Sequence, residues 1–126
     1  MKELIEKGSA VRRDVMGEAY VTKGTAARDE FYGPFRDLVD AFCWGEVWGR
    51  PELPRATRSM LNLALLSALG RTRELKVHLR GALNNGVTRD EIREVLMHTA
   101  VYAGIPAGAT AFATAREVFA EIDQGD

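Results

Sequence analysis

The stretch GRTRELKVHLRGALNNG, residues 70 to 86, sets Arg71, Glu74 and His78 at i, i+3 and i+7, along one side of a helix. A carboxylate one turn before an imidazole can hold its tautomer and raise its pKa, and an arginine a turn further back can fix a substrate carboxylate. An exposed, ion-paired helix face has the same pattern, because such pairs are common and individually weak. A second polar line, Arg55, Arg58, Ser59 and Asn62, runs along a helix that is otherwise apolar nearly all round, which marks that helix as buried. Buried polar groups must be paired or must line a cavity, so the two lines are expected to face one another across a cleft. A place in an exposed first turn also explains Arg55 and Arg58, and for Arg55 it is the better explanation.

The segment CWGEVWGRP puts Trp44 and Trp48 beside Glu46 and Arg50. Aromatic faces with a few polar groups are the usual makeup of a small-molecule pocket; two tryptophans are also ordinary core fillers whose indole N–H finds a partner. His98 shares a helix side with Glu91, Glu94, Val95 and Tyr102, which suits a pocket, a subunit contact or a satisfied structural role. The chain's two histidines form no His-x-x-x-His, and Glu74 with His78 alone are too few ligands for a closed site, so no metal is expected. The glycines form neither a P-loop nor a dinucleotide fingerprint, and no nucleophile elbow is present.

What must position these residues is helical. The periodicity over 126 residues is that of helices almost throughout, and nothing alternates like a strand, so the expectation is an all-α, single-domain bundle of about six helices over residues 1–126. The expected helices cover residues 2 to 17, with Gly8 weakening the start, and 25 to 43, with Phe31, Phe35, Leu38, Val39 and Phe42 at helical spacing and Gly33-Pro34 as a division. After an irregular WGEVWGRPELPRAT they continue over 54 or 55 to 69, 71 to 84 or 85, 88 to 103, and 106 or 107 to 122. Pro54 suits a first turn, Gly70 a C-terminal cap, Gly86 a stop, and Thr88 with Glu91 a capping box.

Composition is that of an ordinary globular chain, 46% apolar and 28% charged. A net charge of −1 with no block of like charge argues against nucleic acid as a partner. The single cysteine, Cys43, excludes an internal disulfide and any Cys-x-x-Cys motif. The N-terminus lacks the apolar core of a signal peptide, and the most apolar run, MLNLALLSALG, is about half of the roughly 20 residues a membrane span needs. A cytoplasmic protein is expected.

The run HLRGALNNGVTRDEIREVLMHTAVYAGIPA, with His78, Ala82, Gly86, Thr88, Glu91, Ile92, Tyr102, Gly104 and Pro106 at matching intervals, resembles the carboxymuconolactone decarboxylase family. The stretch WGEVWGRPELPRATRSMLNLALLSALGRTRELKVHLRGALNNG is most similar to the branch acting on γ-carboxymuconolactone in protocatechuate breakdown, and the similarity spans nearly the whole chain. The same fold hosts thiol peroxidases resembling alkyl hydroperoxide reductase D. Their cysteine pair falls here on Arg71 and Glu74, and their acidic residue on Ser59. Cys43 matches no part of that motif, so peroxidase chemistry, which needs a thiolate, is not expected.

The resemblance implies loss of carbon dioxide from a dicarboxylate lactone to give 3-oxoadipate enol-lactone. The electron pair passes through the ring double bond to the lactone carbonyl, so the substrate is its own electron sink and no cofactor is required. It implies His78 as proton donor or hydrogen-bond partner of the dienolate, oriented by Glu74. Arg58 and Arg71 would bind carboxylates, and Trp44, Glu46 and Trp48 would shape the pocket. It also implies a homo-oligomer, commonly a hexamer built as a trimer of dimers. Two other readings stay open: a related enzyme acting on another lactone or cyclic acid, and a non-enzymatic oligomer that binds a small molecule.

Overall fold

The computed structural model describes residues 1–26 and 28–125. Among them every regular element is helical, seven α-helices and one π-helix, so the expectation of an all-α bundle holds. The chain divides into two compact units, Met1–Arg55 and Ala56–Asp126.

In the first unit, α1 spans Lys2–Met16, α2 Glu18–Ala26 and α3 Gly33–Leu38, and a π-helix follows directly over Val39–Val47. The helix expected over residues 25 to 43 is therefore replaced by three elements, with Ala27 outside the described residues. Gly33-Pro34 begins a helix instead of dividing one: proline lacks the N–H that a first helical turn leaves unused. The irregular segment is also shorter than expected, because the π-helix carries Trp44, Glu46 and Val47, and the Trp48 N–H reaches the Cys43 carbonyl at 2.9 Å, five residues back.

Gly8 does not disrupt α1. It is buried against the π-helix, where a Cβ would run into the Asp40 carbonyl, while a Cβ on Gly45 would lie 2.7 Å from the Leu4 carbonyl. Backbone meets backbone here, and only glycine allows it. That crossing selects the face that turns inward: Asp40, Ala41, Trp44 and Gly45 are buried, whereas Phe31, Phe35, Leu38 and Phe42, which periodicity made the apolar stripe, are exposed.

The second unit holds α4, Arg55–Leu69, from its second residue on, with α5 Thr72–Asn84, α6 Arg89–Ala103 and α7 Ile105–Asp123. Gly70, at φ 72°, ends α4 in a Schellman motif: its N–H bonds the Ser67 carbonyl at 3.3 Å and the Arg71 N–H bonds Leu66 at 2.9 Å. The Thr88/Glu91 capping box forms in both directions, at 2.9 and 3.0 Å. One apolar cluster joins the four helices, with Leu63, Leu75, Leu79, Ile92, Leu96 and Val118 at its centre. Gly108 of α7 packs so closely on Ala100 of α6 that a side chain would collide with it. Lys76 and Arg80 of α5 pair with Glu121 of α7 at 2.9 and 3.1 Å.

Contrary to the expectation from composition, α4 is not buried all round. Ser59, Leu63 and Ser67 form its buried stripe, and Leu61, Leu65 and Leu69 are exposed at 48%, 56% and 66%.

Candidate functional site

The short Gly70-Arg71 link turns α5 back along α4, and two side-chain contacts fix the pairing. Ser59 Oγ accepts from Asn85 Nδ2 at 3.0 Å, and Asn62 Nδ2 lies 3.5 Å from His78 Nδ1. Moving forward along α4 from Ser59 to Asn62 moves backward along α5 from Asn85 to His78, so the helices run antiparallel. The polar line of α4 meets α5 through these pairs.

Arg58 precedes Asn62 by one helical turn and is half-buried. Its Nε is buried without a hydrogen-bond partner. An unpaired donor on a guanidinium costs free energy unless something supplies an acceptor, which makes Arg58 the group in this unit best prepared for an anionic oxygen.

His78 is partly buried. Desolvation pushes its pKa below 6.5, and the charge of Glu74 opposes that shift without cancelling it. The imidazole is therefore neutral at pH 7. The Asn62 amide nitrogen, a donor, lies 3.5 Å from Nδ1, a contact that suits the tautomer with the ring proton on Nε2. Glu74 accepts from Arg73 Nε at 2.8 Å, which holds its carboxyl below the usual range, with a smaller contribution from Arg71. Arg71 stands at the N-cap position of α5 without a side-chain cap bond and is exposed.

Trp44 and Trp48 belong to the other unit, each 5% exposed, with ring centroids 5.0 Å apart. Glu46 is exposed on the π-helix. Arg55 also falls in that unit and pairs with Asp14 at 3.4 Å. His98 is exposed and packs on Tyr102 at 4.8 Å between ring centroids. Cys43 is exposed as a residue, yet desolvation raises its thiol pKa against the lowering effect of Arg36. No group of three or more possible metal ligands occurs among the described residues, and none of their helices is long and apolar enough to cross a membrane.

Sequence reasoning missed Asn85, treated only as a helix end, and gave Asn62 no role beside His78. The signal available was the coincidence of two polar lines on helices joined by a tight turn. It identified the faces but not the partners, which are 16 and 26 residues apart in the chain.

The model of the carboxymuconolactone decarboxylase family matches residues 34–117. A 4-carboxymuconolactone decarboxylase of Acinetobacter baylyi is 45% identical over 117 residues, 93% of this chain and 87% of that protein. The nitrosuccinic acid decarboxylase npaB of Metarhizium robertsii is 39% identical over 126 residues, 99% of this chain and 88% of that protein. An uncharacterised 15.0 kDa protein of Paracoccus denitrificans is 31% identical over 70% of this chain and 66% of its own length.

Proposed function

The chain belongs to the carboxymuconolactone decarboxylase family, and from that premise we propose that it decarboxylates 4-carboxymuconolactone to 3-oxoadipate enol-lactone. The observation that carries this reading is the 45% identity to a protein of that name over 93% of the chain. The reaction is that of a carboxy-lyase. The bond between the ring carbon and its carboxylate breaks and carbon dioxide leaves. The electron pair moves through the ring double bond onto the lactone carbonyl oxygen, and one proton is taken up at the carbon beside that carbonyl.

The α4/α5 pair suits this chemistry. A neutral His78 with its proton on Nε2 is a hydrogen-bond donor for the oxygen where charge develops, the kind of preorganised donor that lowers such barriers most. Arg58, with its buried unpaired Nε, takes a substrate carboxylate. Arg71 supplies a second cation, and Glu74 orients His78. Asn62 keeps Nδ1 occupied. The pocket role of Trp44, Glu46 and Trp48 rests on the family resemblance, and the exposed Glu46 allows a direct test by Glu46→Gln.

The same reading places the chain in protocatechuate catabolism in the cytoplasm, as a homo-oligomer built as a trimer of dimers. Exposed leucines at i, i+4 and i+8 on α4, and Met97, Val101 and Ile105 at the same spacing across the α6/α7 junction, support self-association. A monomer in sedimentation overturns that part.

Purified protein with γ-carboxymuconolactone and no added metal should consume the lactone's ultraviolet absorbance with release of one carbon dioxide. The 39% identity to a nitrosuccinic acid decarboxylase supports a second reading, decarboxylation of a different organic acid. Turnover of nitrosuccinic acid with none of the lactone would select it.

A further inference from the structure

The Met1–Arg55 unit contains a cavity of about 550 Å³, within the range of small-molecule sites. Its walls include the rings of Tyr20, Phe31 and Tyr32, and three cations, Arg12, Lys23 and Arg36. Arg12 is 5% exposed, yet no carboxylate of the described residues lies within 4.0 Å of it. Its guanidinium lies over the face of Tyr20, at 5.5 Å from the ring centroid. A buried charge without a counter-ion is strongly unfavourable.

Arg36 repeats the theme from the neighbouring wall. One nitrogen pairs with Asp40 at 3.0 Å, and its Nε is buried without a partner. The one carboxylate on the lining, Asp29, accepts the Tyr32 backbone N–H at 2.8 Å. The cations outnumber it, and the surplus sits at Arg12.

We infer that this cavity is a binding site for a small organic monoanion, a carboxylate on a planar aromatic body, with the carboxylate on Arg12 and the ring against Tyr20 and the Phe31/Tyr32 wall. Lys23 adds a further cation to the lining, and Asp29 disfavours a second negative charge on the ligand. The inference uses no residue assigned to the decarboxylation and stands apart from that reading.

Benzoate is the probe, titrated into the full-length protein by calorimetry, with inorganic phosphate and cyclohexanecarboxylate as comparators. Saturable binding at one benzoate per chain is expected, with both comparators weaker by about fivefold or more because neither stacks on the rings. Arg12→Met should weaken benzoate by about tenfold or more, the loss of a charge-assisted hydrogen bond. Arg58→Ala should leave it within about twofold, since that arginine does not line the cavity. No saturable binding, or undiminished binding by a folded Arg12→Met chain, overturns the site. Phosphate binding as tightly as benzoate overturns the aromatic ligand class. Loss of benzoate binding in Arg58→Ala but not in Arg12→Met assigns benzoate to the decarboxylase site and overturns the inference. Should Arg12→Met not fold, Tyr20→Ala and Lys23→Ala at exposed positions replace it; each should weaken benzoate about threefold, and no change in either overturns the site.

Discussion

Two helix pairs in this chain are joined in opposite ways. Where α1 crosses the π-helix, Gly8 and Gly45 bring backbone against backbone. Where α4 lies along α5, the contact is made partly by side-chain polar groups, Ser59 with Asn85 and Asn62 with His78, although apolar residues would pack there at lower cost in desolvation. The leucines that could have filled α4's inner face, Leu61, Leu65 and Leu69, point outward instead. The first pair is built for close approach. The second retains polar groups at a cost that a purely structural helix pair would not need, which is what a substrate-handling surface requires.

That contrast can be broken most sharply at His78. His78→Ala should reduce turnover of the lactone by about 10² or more, with helicity by circular dichroism unchanged; near-native turnover would remove the imidazole from the mechanism and make the polar seam structural. Gly8→Ala should act on stability alone, lowering it by about 1–3 kcal/mol through overpacking against Asp40. A urea midpoint equal to wild type would show that the crossing can relax. Ser59→Ala strands the Asn85 amide and should lower stability by about 1 kcal/mol. A double-mutant cycle with Asn85→Ala measures how much of that belongs to the pair.

The smallest effect is the pH dependence of stability from His78. Its folded pKa lies below 6.5, so below 6.5 the unfolded chain takes up the proton first. The stabilisation is complete above 6.5 and is lost as pH falls through the folded value. His78→Gln should flatten the melting temperature across this acid range relative to wild type, and an unchanged slope would assign it to other groups. If the neutral imidazole is the working form, turnover should fall over the same range.

Much of the second unit was legible from residues alone. Thr88 with Glu91, Gly70 and Gly86 are local devices whose geometry follows from neighbouring backbone groups, and the ends of α4 to α6 fall within a residue or so of where they were placed. The first unit was less legible. Periodicity put Phe31, Phe35, Leu38, Val39 and Phe42 on one stripe, and the structure leaves all but the half-buried Val39 exposed while burying Asp40, Ala41, Trp44 and Gly45 at the Gly8 crossing.

The sequence by itself determined an all-helical chain, the two polar lines on α4 and α5, and their tight antiparallel connection. Helix period, caps and turn residues act over a few neighbours, so they can be read in one dimension. Only the tertiary structure decided which polar groups meet, that Arg58 keeps a buried donor unpaired, that burial pushes the His78 pKa down, and that Arg12 is buried with no carboxylate of the described residues beside it. Those properties depend on what surrounds a group in space, and desolvation and charge pairing are set by distances that chain order does not record.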